Sequence, residues 1–400
     1  MRKAFVAGVL ALALGSIVRA QEVTEEEFLA AFGEGHDAVR ALTGGIGQAE
    51  AARERARVFS NPRLEFWREE PEDNPRLTNW ALAWTPPLDG RYGPGKKAAE
   101  AGLAAAHEGY FLDRAALRRE IRRAFAEWSI AFERHEVQQR QLALVARLAG
   151  QEQERARLGE ASGLAARRLV LVEGEARLAL DSNEADCART GALARGWRPD
   201  LPAGVEPARV VLPEPPGALE IEGSPALRVI EEQIEQAGHE ARRAGRFWEF
   251  PTLVLGWQTL EDHDVSQSGP ILAASWAVPL FDRDQGGRLE AERRQAVATA
   301  RLRSARTRLA AEVEGGVAAY RTLYDSALVA RENAREVETV IEAATRAFRA
   351  GESGLTDLLE TLRSAFAAAL REIDARDRAL GAHQDLEALM GRPLTGGAPR

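Results

Sequence analysis

The chain has 400 residues, 28% of them charged and only 6% aromatic, with a formal charge of −8. That acid excess excludes a nucleic-acid partner, which needs a basic face, and the lone Cys187 excludes an internal disulfide or a multi-thiolate zinc site. So few aromatic side chains are thin material for two or three globular cores, and they suit long helices that bury narrow stripes against one another.

Arg2 and Lys3 precede an apolar run from Ala4 to Val18, and Val18-Arg19-Ala20 puts small residues three places and one place before a cut. This arrangement predicts a secretory signal peptide over residues 1–20, removed after Ala20. The apolar run falls short of the about 20 residues that a bilayer-crossing helix needs.

Thr24 to Arg57 predict a helix with a narrow seam of Val39, Leu42, Ile46 and Ala49. A β-hairpin follows over about 60–88, then a proline-free helix from about Ala98 to Leu158, a turn at Gly159–Gly163 and a returning helix to about 190. Gly191 to Gly223 holds Pro199, Pro202, Pro207, Pro213, Pro215 and Pro216, which predicts an irregular linker. Ser224-Pro225 opens the next helix. A second hairpin is expected over about 250–281, a helix from Gln285 to Ala350, a turn at Gly351–Gly354, a return to 391 and a disordered tail over 392–400.

The order repeats because the sequence does. Pro62-Arg63-Leu64 recurs as Pro251-Thr252-Leu253, and Trp84-Thr85-Pro86-Pro87-Leu88 as Trp276-Ala277-Val278-Pro279-Leu280. Gly159-Glu160 recurs as Gly351-Glu352, each closely followed by Ser-Gly-Leu. Two tandem repeats, 21–190 and 224–391, are therefore expected, mainly α with a small β part. Sixty helical residues reach about 90 Å, longer than a globular domain needs. Val313, Val317, Tyr320, Tyr324 and Ala327 step by four and three, as in coiled coils.

Trp67, Trp80, Trp84, Trp248, Trp257 and Trp276 crowd into the two hairpins. Trp80-Ala81-Leu82-Ala83-Trp84 alternates bulky and small, as does Leu272 to Val278. Transmembrane strands run about 9–11 residues with alternating faces and aromatic girdles, which makes Trp67, Trp80, Trp84, Trp257 and Trp276 the expected membrane girdle. A soluble hairpin pair packed on helices reads the same alternation. Four strands cannot close a barrel, and lipid does not tolerate open sheet edges. The membrane reading therefore requires several copies, and three would supply about 12 strands.

Val278-Pro279-Leu280-Phe281-Asp282-Arg283-Asp284-Gln285-Gly286 resembles the strand-to-helix turn of the TolC-like outer-membrane efflux protein family, in its heavy-metal CzcC and CusC-type branch. Pro86-Pro87-Leu88 with Gly90-Arg91 resembles the matching first turn, and Ala350 to Leu359 resembles the tip of the second helical hairpin. The resemblance spans about residues 24–391. It implies a homotrimer in the cell outer membrane, with a 12-strand β-barrel in outer-membrane lipid and an α-barrel in the periplasm. It also implies two partners, a periplasmic adaptor (membrane fusion) protein and an inner-membrane pump. Asp357 and Glu360 stand where the family presents an acidic aperture or gate. Gly159, Glu160, Ser162 and Gly163, with Gly351, Glu352, Ser353 and Gly354, form the expected adaptor-contact tips. Phe348 replaces a latch tyrosine of some relatives, and Ala165 or Ala166 its acidic partner, so that latch is expected to be absent.

Gly90 to Lys96 matches the first seven positions of a phosphate-binding loop, but Lys97 stands where Ser or Thr would hold Mg²⁺. The histidines are scattered, and Glu261-Asp262-His263-Asp264 is their single acidic cluster, in an expected outer loop. No catalytic triad, metal site or cofactor is expected, and the chain is not expected to be an enzyme. An efflux duct, with metal cations as one cargo, is the leading expectation. A type I protein-secretion duct and a poreless periplasmic coiled-coil scaffold stay open.

Overall fold

Capping residues and prolines set the element boundaries. In the computed structural model the described residues are 22–70, 75–202, 204–246, 249–262, 265–278 and 280–394. The expected signal peptide with its cut after Ala20, together with Trp248, His263, Pro279 and residues 395–400, lies outside them. In chain order the elements are β1 (Glu22–Val23), α1 (Glu25–Ala30), α2 (Asp37–Arg57), β2 (Arg63–Glu69), β3 (Arg76–Trp84), α3 (Tyr92–Arg157) and α4 (Gly163–Trp197). Then come β4 (Glu206–Pro207), α5 (Pro225–Ala244), β5 (Thr252–Asp262), β6 (Val265–Ser275), α6 (Gln285–Arg335), α7 (Val337–Ala350) and α8 (Leu355–Met390).

Four boundaries differ from those expected. The first helix is broken between Ala30 and Asp37, where Gly33 and Gly35 weaken it and the His36 ring accepts the Ala38 N–H at 3.2 Å to start α2 afresh. α3 begins at Tyr92, because Pro94 fits the first turn, where no N–H is needed. The irregular linker begins at Arg198 and not at Gly191, since α4 continues to Trp197. Gly191 stays helical because it lies against Trp128, whose Nε1 would sit 3.3 Å from an added Cβ. The long second-repeat helix divides at Glu336, which itself keeps right-handed helical angles.

The chain forms two compact units. One comprises the described residues within Met1–Ala31, Ile121–Val211 and Ala330–Asp377. Its core is a helical seam of Ile130, Val137, Leu144 and Leu148 on α3, Leu169 on α4, Ile341 on α7, and Leu358, Leu362 and Phe366 on α8. The four- and seven-residue steps are those of interlocking helices. Ion pairs line the same packing: Arg123 with Asp377 at 2.8 Å, Arg134 with Asp374 at 2.6 Å, and buried Arg376 with Glu133. Removing one partner of such a buried pair strands the other charge, so these pairs fix the register of α3 on α8. β1 and β4 pair in parallel, Phe28 packs on Phe125 at 5.1 Å, and Ser129 donates to the Ala208 carbonyl at 2.9 Å.

The other unit holds the described residues within Phe32–Glu120, Leu212–Val329 and Arg378–Arg400. Val313, Val317, Tyr320 and Ala327 are buried on α6, as their spacing predicts, and Tyr324 is half-buried. Tyr320 is 0% exposed, and its hydroxyl donates to the Pro213 carbonyl; Arg321 donates to the Pro216 carbonyl at 3.1 Å. The proline-rich segment is thereby fastened to a helix. The sheet of this unit has the order β2-β3-β5-β6, antiparallel throughout. At its centre Gly256 lies opposite Ala81, and a Cβ there would meet the Trp80 carbonyl oxygen at 2.4 Å.

Two outcomes follow. Gly256→Val should separate β3 from β5, because backbone cannot yield as a flexible side-chain end does; loss of protection of the Leu82 and Leu255 amides in hydrogen exchange is the check, and unchanged protection would contradict it. The Glu27 carboxylate accepts the Thr24 backbone N–H at 2.9 Å and the Thr24 hydroxyl, which holds it below the ordinary glutamate range. A depressed carboxylate stabilises at neutral pH and loses that contribution as pH falls through its folded value. Fraying of α1 should therefore increase on acidification, and Glu27→Gln should remove the pH dependence of that fraying.

Candidate membrane sheet and hairpin tips

The strand register sorts the sheet into two faces. Directly paired residues share a face, so Leu64, Leu82, Leu255 and Leu272 form one row, and Phe66, Trp80, Trp257 and Pro270 the next. Trp84 pairs with Leu253 in a third row. Phe66 and Trp80 stack at 4.5 Å between centroids. These side chains are exposed in the chain, Leu272 at 84%. Each would forfeit about 1.5–3 kcal/mol of transfer free energy by staying in water, so this face calls for an apolar covering. The band ends at a polar row of Arg68, Thr78, Thr259 and Ser268, beyond which Arg76 pairs with Glu261 at 3.3 Å. Exposed Leu88, Leu280 and Phe281 extend the apolar surface into the strand-to-helix turns.

The opposite face carries Glu65, Asn79, Ala81, Ala83, Gly256, Gln258 and Gly269 together with Leu77, Val254, Leu260 and Ile271, a mixture of small, polar and aliphatic residues. Trp67 belongs to it. It pairs with Asn79, one residue out of phase with Trp80, so it does not join the girdle expected of it. Phe66 stands beside Trp80 on the apolar face instead; the alternation Leu64, Phe66 was readable in the sequence, but tryptophan content outweighed phase. Trp80, Trp84 and Trp257 share the apolar face, and Trp276, 39% exposed, stands one residue past β6. Among the described residues, edge strands β2 and β6 each have a strand on one side alone.

The two hairpin tips use one device. Gly159 takes φ +80°; its N–H reaches the Ala156 carbonyl at 3.1 Å, and the Glu160 N–H reaches that of Arg155 at 2.9 Å. Gly351 takes φ +76°, with the same two bonds to Phe348 and Ala347. This is the left-handed glycine stop that satisfies the last carbonyls of a helix. Ser162 then caps α4 through the Leu164 N–H at 3.2 Å. Gly159, Glu160, Ser162, Gly163, Gly351, Glu352 and Gly354 are exposed, while Ser353 is half-buried. Exposed Leu158 and Leu164 flank the first tip, whereas Leu355 and Phe348 at the second pack against the helical core. The first tip therefore offers apolar surface that the second withholds, a difference that the shared glycines did not reveal.

Asp357 and Glu360 are both exposed on α8, and three-residue spacing puts them on one helix side. They are not equivalent. Asp357 accepts the Gly354 N–H at 3.2 Å and so helps to cap α8, whereas Glu360 has no ion-pair partner among the described residues. The Gly90–Lys96 loop forms no phosphate cradle: Arg91 is bound to Glu249 at 2.9 Å and donates to the Arg246 carbonyl. Among the described residues no group of His, Cys, Asp and Glu could hold a metal ion, and no helix is long and apolar enough to cross a membrane.

Residues 218–392 match the model of the outer membrane efflux protein family. No curated protein matches the chain. Among solved structures, CusC, described in terms of folding and transmembrane channel formation, covers 92% of this chain with 91% of its own, at TM-score 0.75 and 14% identity. The Campylobacter jejuni CmeC outer membrane channel covers 89% with 83% of its own, at TM-score 0.71 and 12% identity. The Vibrio cholerae outer membrane protein VceC covers 92% with 95% of its own, at TM-score 0.72 and 15% identity. The second repeat thus matches the outer membrane efflux protein family, and the chain shares its fold with solved outer-membrane channels.

Proposed function

We propose that this chain is the outer-membrane exit duct of a tripartite efflux system. Three copies join their sheets into a 12-strand barrel in outer-membrane lipid, and their helical hairpins line a passive path in the periplasm. The observation that carries this reading is the sheet with one exposed apolar, aromatic face and two open edges. In hydrocarbon each unpaired backbone group costs several kcal/mol, so an apolar-faced sheet must close on copies of itself. Ala81, Ala83 and Gly256 on the other face leave room for a lumen, which exposed Trp67 would face. The tips meet a periplasmic adaptor protein, which connects the duct to an inner-membrane pump; the exposed Leu158 and Leu164 beside Gly159 support a protein contact there.

The cargo we assign is metal cations. Exposed Asp357 and Glu360 support that reading, because three copies would set six carboxylates around one axis, and acidic rings favour cations. Phe348, half-buried against the apolar core, supports a mouth held by packing and not by a tyrosine hydrogen bond.

Planar-bilayer recording tests the duct: a folded trimer that does not conduct overturns it. Chemical crosslinking in mild detergent should trap three chains, and a clean monomer overturns the barrel. The double variant Asp357→Ala/Glu360→Ala should lower cation preference, and an unchanged pore means these acids do not line it. Glu360→Ala alone should leave stability unaltered, whereas Asp357→Ala also removes a helix cap, costing about 0.5–2 kcal/mol.

A further inference from the structure

The sheet face opposite Trp80 carries a group of side chains that the duct reading leaves without a task. Along β2, Glu65, Trp67 and Glu69 point from this face in succession, about 7 Å apart. Trp67 is 38% exposed, Glu69 is exposed and Glu65 is half-buried. Neither carboxylate has a cation within ion-pair distance among the described residues; the nearby Arg68 and Arg76 are taken by Glu70. Arg63 stands two residues before Glu65 on the same face and offsets its charge, so Glu69 is the carboxylate left over.

Asn79 lies directly beside Trp67 in the ladder, and Glu69 stands on its diagonal, within reach of a long side chain. Asn79 is 1% exposed, and its Oδ1 accepts no hydrogen bond among the described residues. A buried carbonyl without a donor is costly, and this one gains by taking an N–H from outside the chain. Its row neighbours Trp67 and Gln258 are not buried. Such side chains change rotamer within nanoseconds, so those flanking the amide can turn aside for a ligand. Leu77 and Leu260, paired in the adjoining row and half-buried, supply apolar surface next to it. Gly269, two strands away in the same row, leaves open space where a side chain would begin.

These groups make four separate demands. The indole face attracts a cation, Glu69 a positive charge, the amide oxygen an N–H, and the leucines a hydrocarbon. A divalent metal ion wants about six oxygen ligands and finds one free carboxylate. A quaternary ammonium has no N–H to give. A protonated amine on an apolar body meets all four. We infer that this face of the sheet holds a binding site for organic ammonium ions. The ammonium donates to Asn79 Oδ1, its charge sits between the Trp67 indole and Glu69, and its apolar body lies over Leu77 and Leu260. The site goes beyond the duct reading and does not rest on it, because every residue named belongs to one sheet of one chain.

The full-length protein, labelled with 5-fluorotryptophan and held in maltoside micelles, is titrated at neutral pH and followed by fluorine NMR. The probes are benzylammonium, benzyltrimethylammonium, benzyl alcohol and Mg²⁺, and the Trp67 resonance is assigned by its loss in Trp67→Phe. Benzylammonium should shift that resonance saturably and bind about tenfold more tightly than its trimethyl analogue, which cannot donate to Asn79. Benzyl alcohol and Mg²⁺ should give no saturable shift. Glu69→Gln should weaken benzylammonium about two- to fivefold, and Asn79→Ala should abolish the preference for the primary amine. If Asn79→Ala does not fold, Glu69→Gln and the ratio of the two ammonium ions in the unaltered protein still decide. Equal binding of the two ammonium ions, an equal response to Mg²⁺, or no saturable shift overturns the proposal. A conducting pore without the amine-induced shift overturns the site and leaves the duct. Saturable amine binding by a protein that does not conduct supports the site and overturns the duct.

Discussion

Backbone hydrogen bonding at a sheet edge is the constraint on which the rest depends. The four strands satisfy one another internally, but β2 and β6 each leave a row of N–H and C=O groups facing outward. In water such an edge is a hazard that charge or brevity can blunt. This sheet also exposes its Leu, Phe and Trp face in the chain, a surface that calls for an apolar covering. Put that face in lipid, and the edges become the costlier problem, since hydrocarbon offers them no partner. In the proposed duct, closure with further copies answers both demands at once. Gly256 shows how tightly the strands approach to make that possible: the carbonyl of Trp80 occupies the space where a side chain would begin.

The helical unit solves a different problem with less apolar material. Its seam is narrow, and much of what borders it is charged. Arginine supplies the difference. Arg123, Arg134 and Arg376 reach carboxylates on the neighbouring helix, so register is set by charge where apolar area is scarce. The two tips differ in the same spirit, sharing the glycine stop while only the first leaves leucines in the open.

Much of this was legible in residue order. The doubled landmarks, the coiled-coil step of Val313, Val317, Tyr320 and Ala327, and the alternation through Trp80 to Trp84 are local periodicities, and local periodicity is what a chain states by itself. Reading by residue type and reading by phase part at Trp67: it was counted with the girdle because it is tryptophan, and strand parity sets it on the face opposite Trp80. The linker boundary failed because Gly191 is a weak helix residue in isolation and a good one against Trp128. Asp357 and Glu360 looked alike as a spaced acidic pair, and the turn before them gave one a capping bond.

Few aromatics, much alanine and many arginines fixed the class of this protein from the start: long helices with narrow seams, and a small sheet holding most of the tryptophan. Those features are set by spacing along one chain, so sequence suffices for them. Tertiary structure alone decided which strand lies beside which, hence which tryptophans share a face, and which arginines find carboxylates and which are left over. Such outcomes depend on contacts between residues as far apart as Arg123 and Asp377 or Trp80 and Trp257. No local period encodes them, because the partner of a side chain is chosen only when distant segments are brought together.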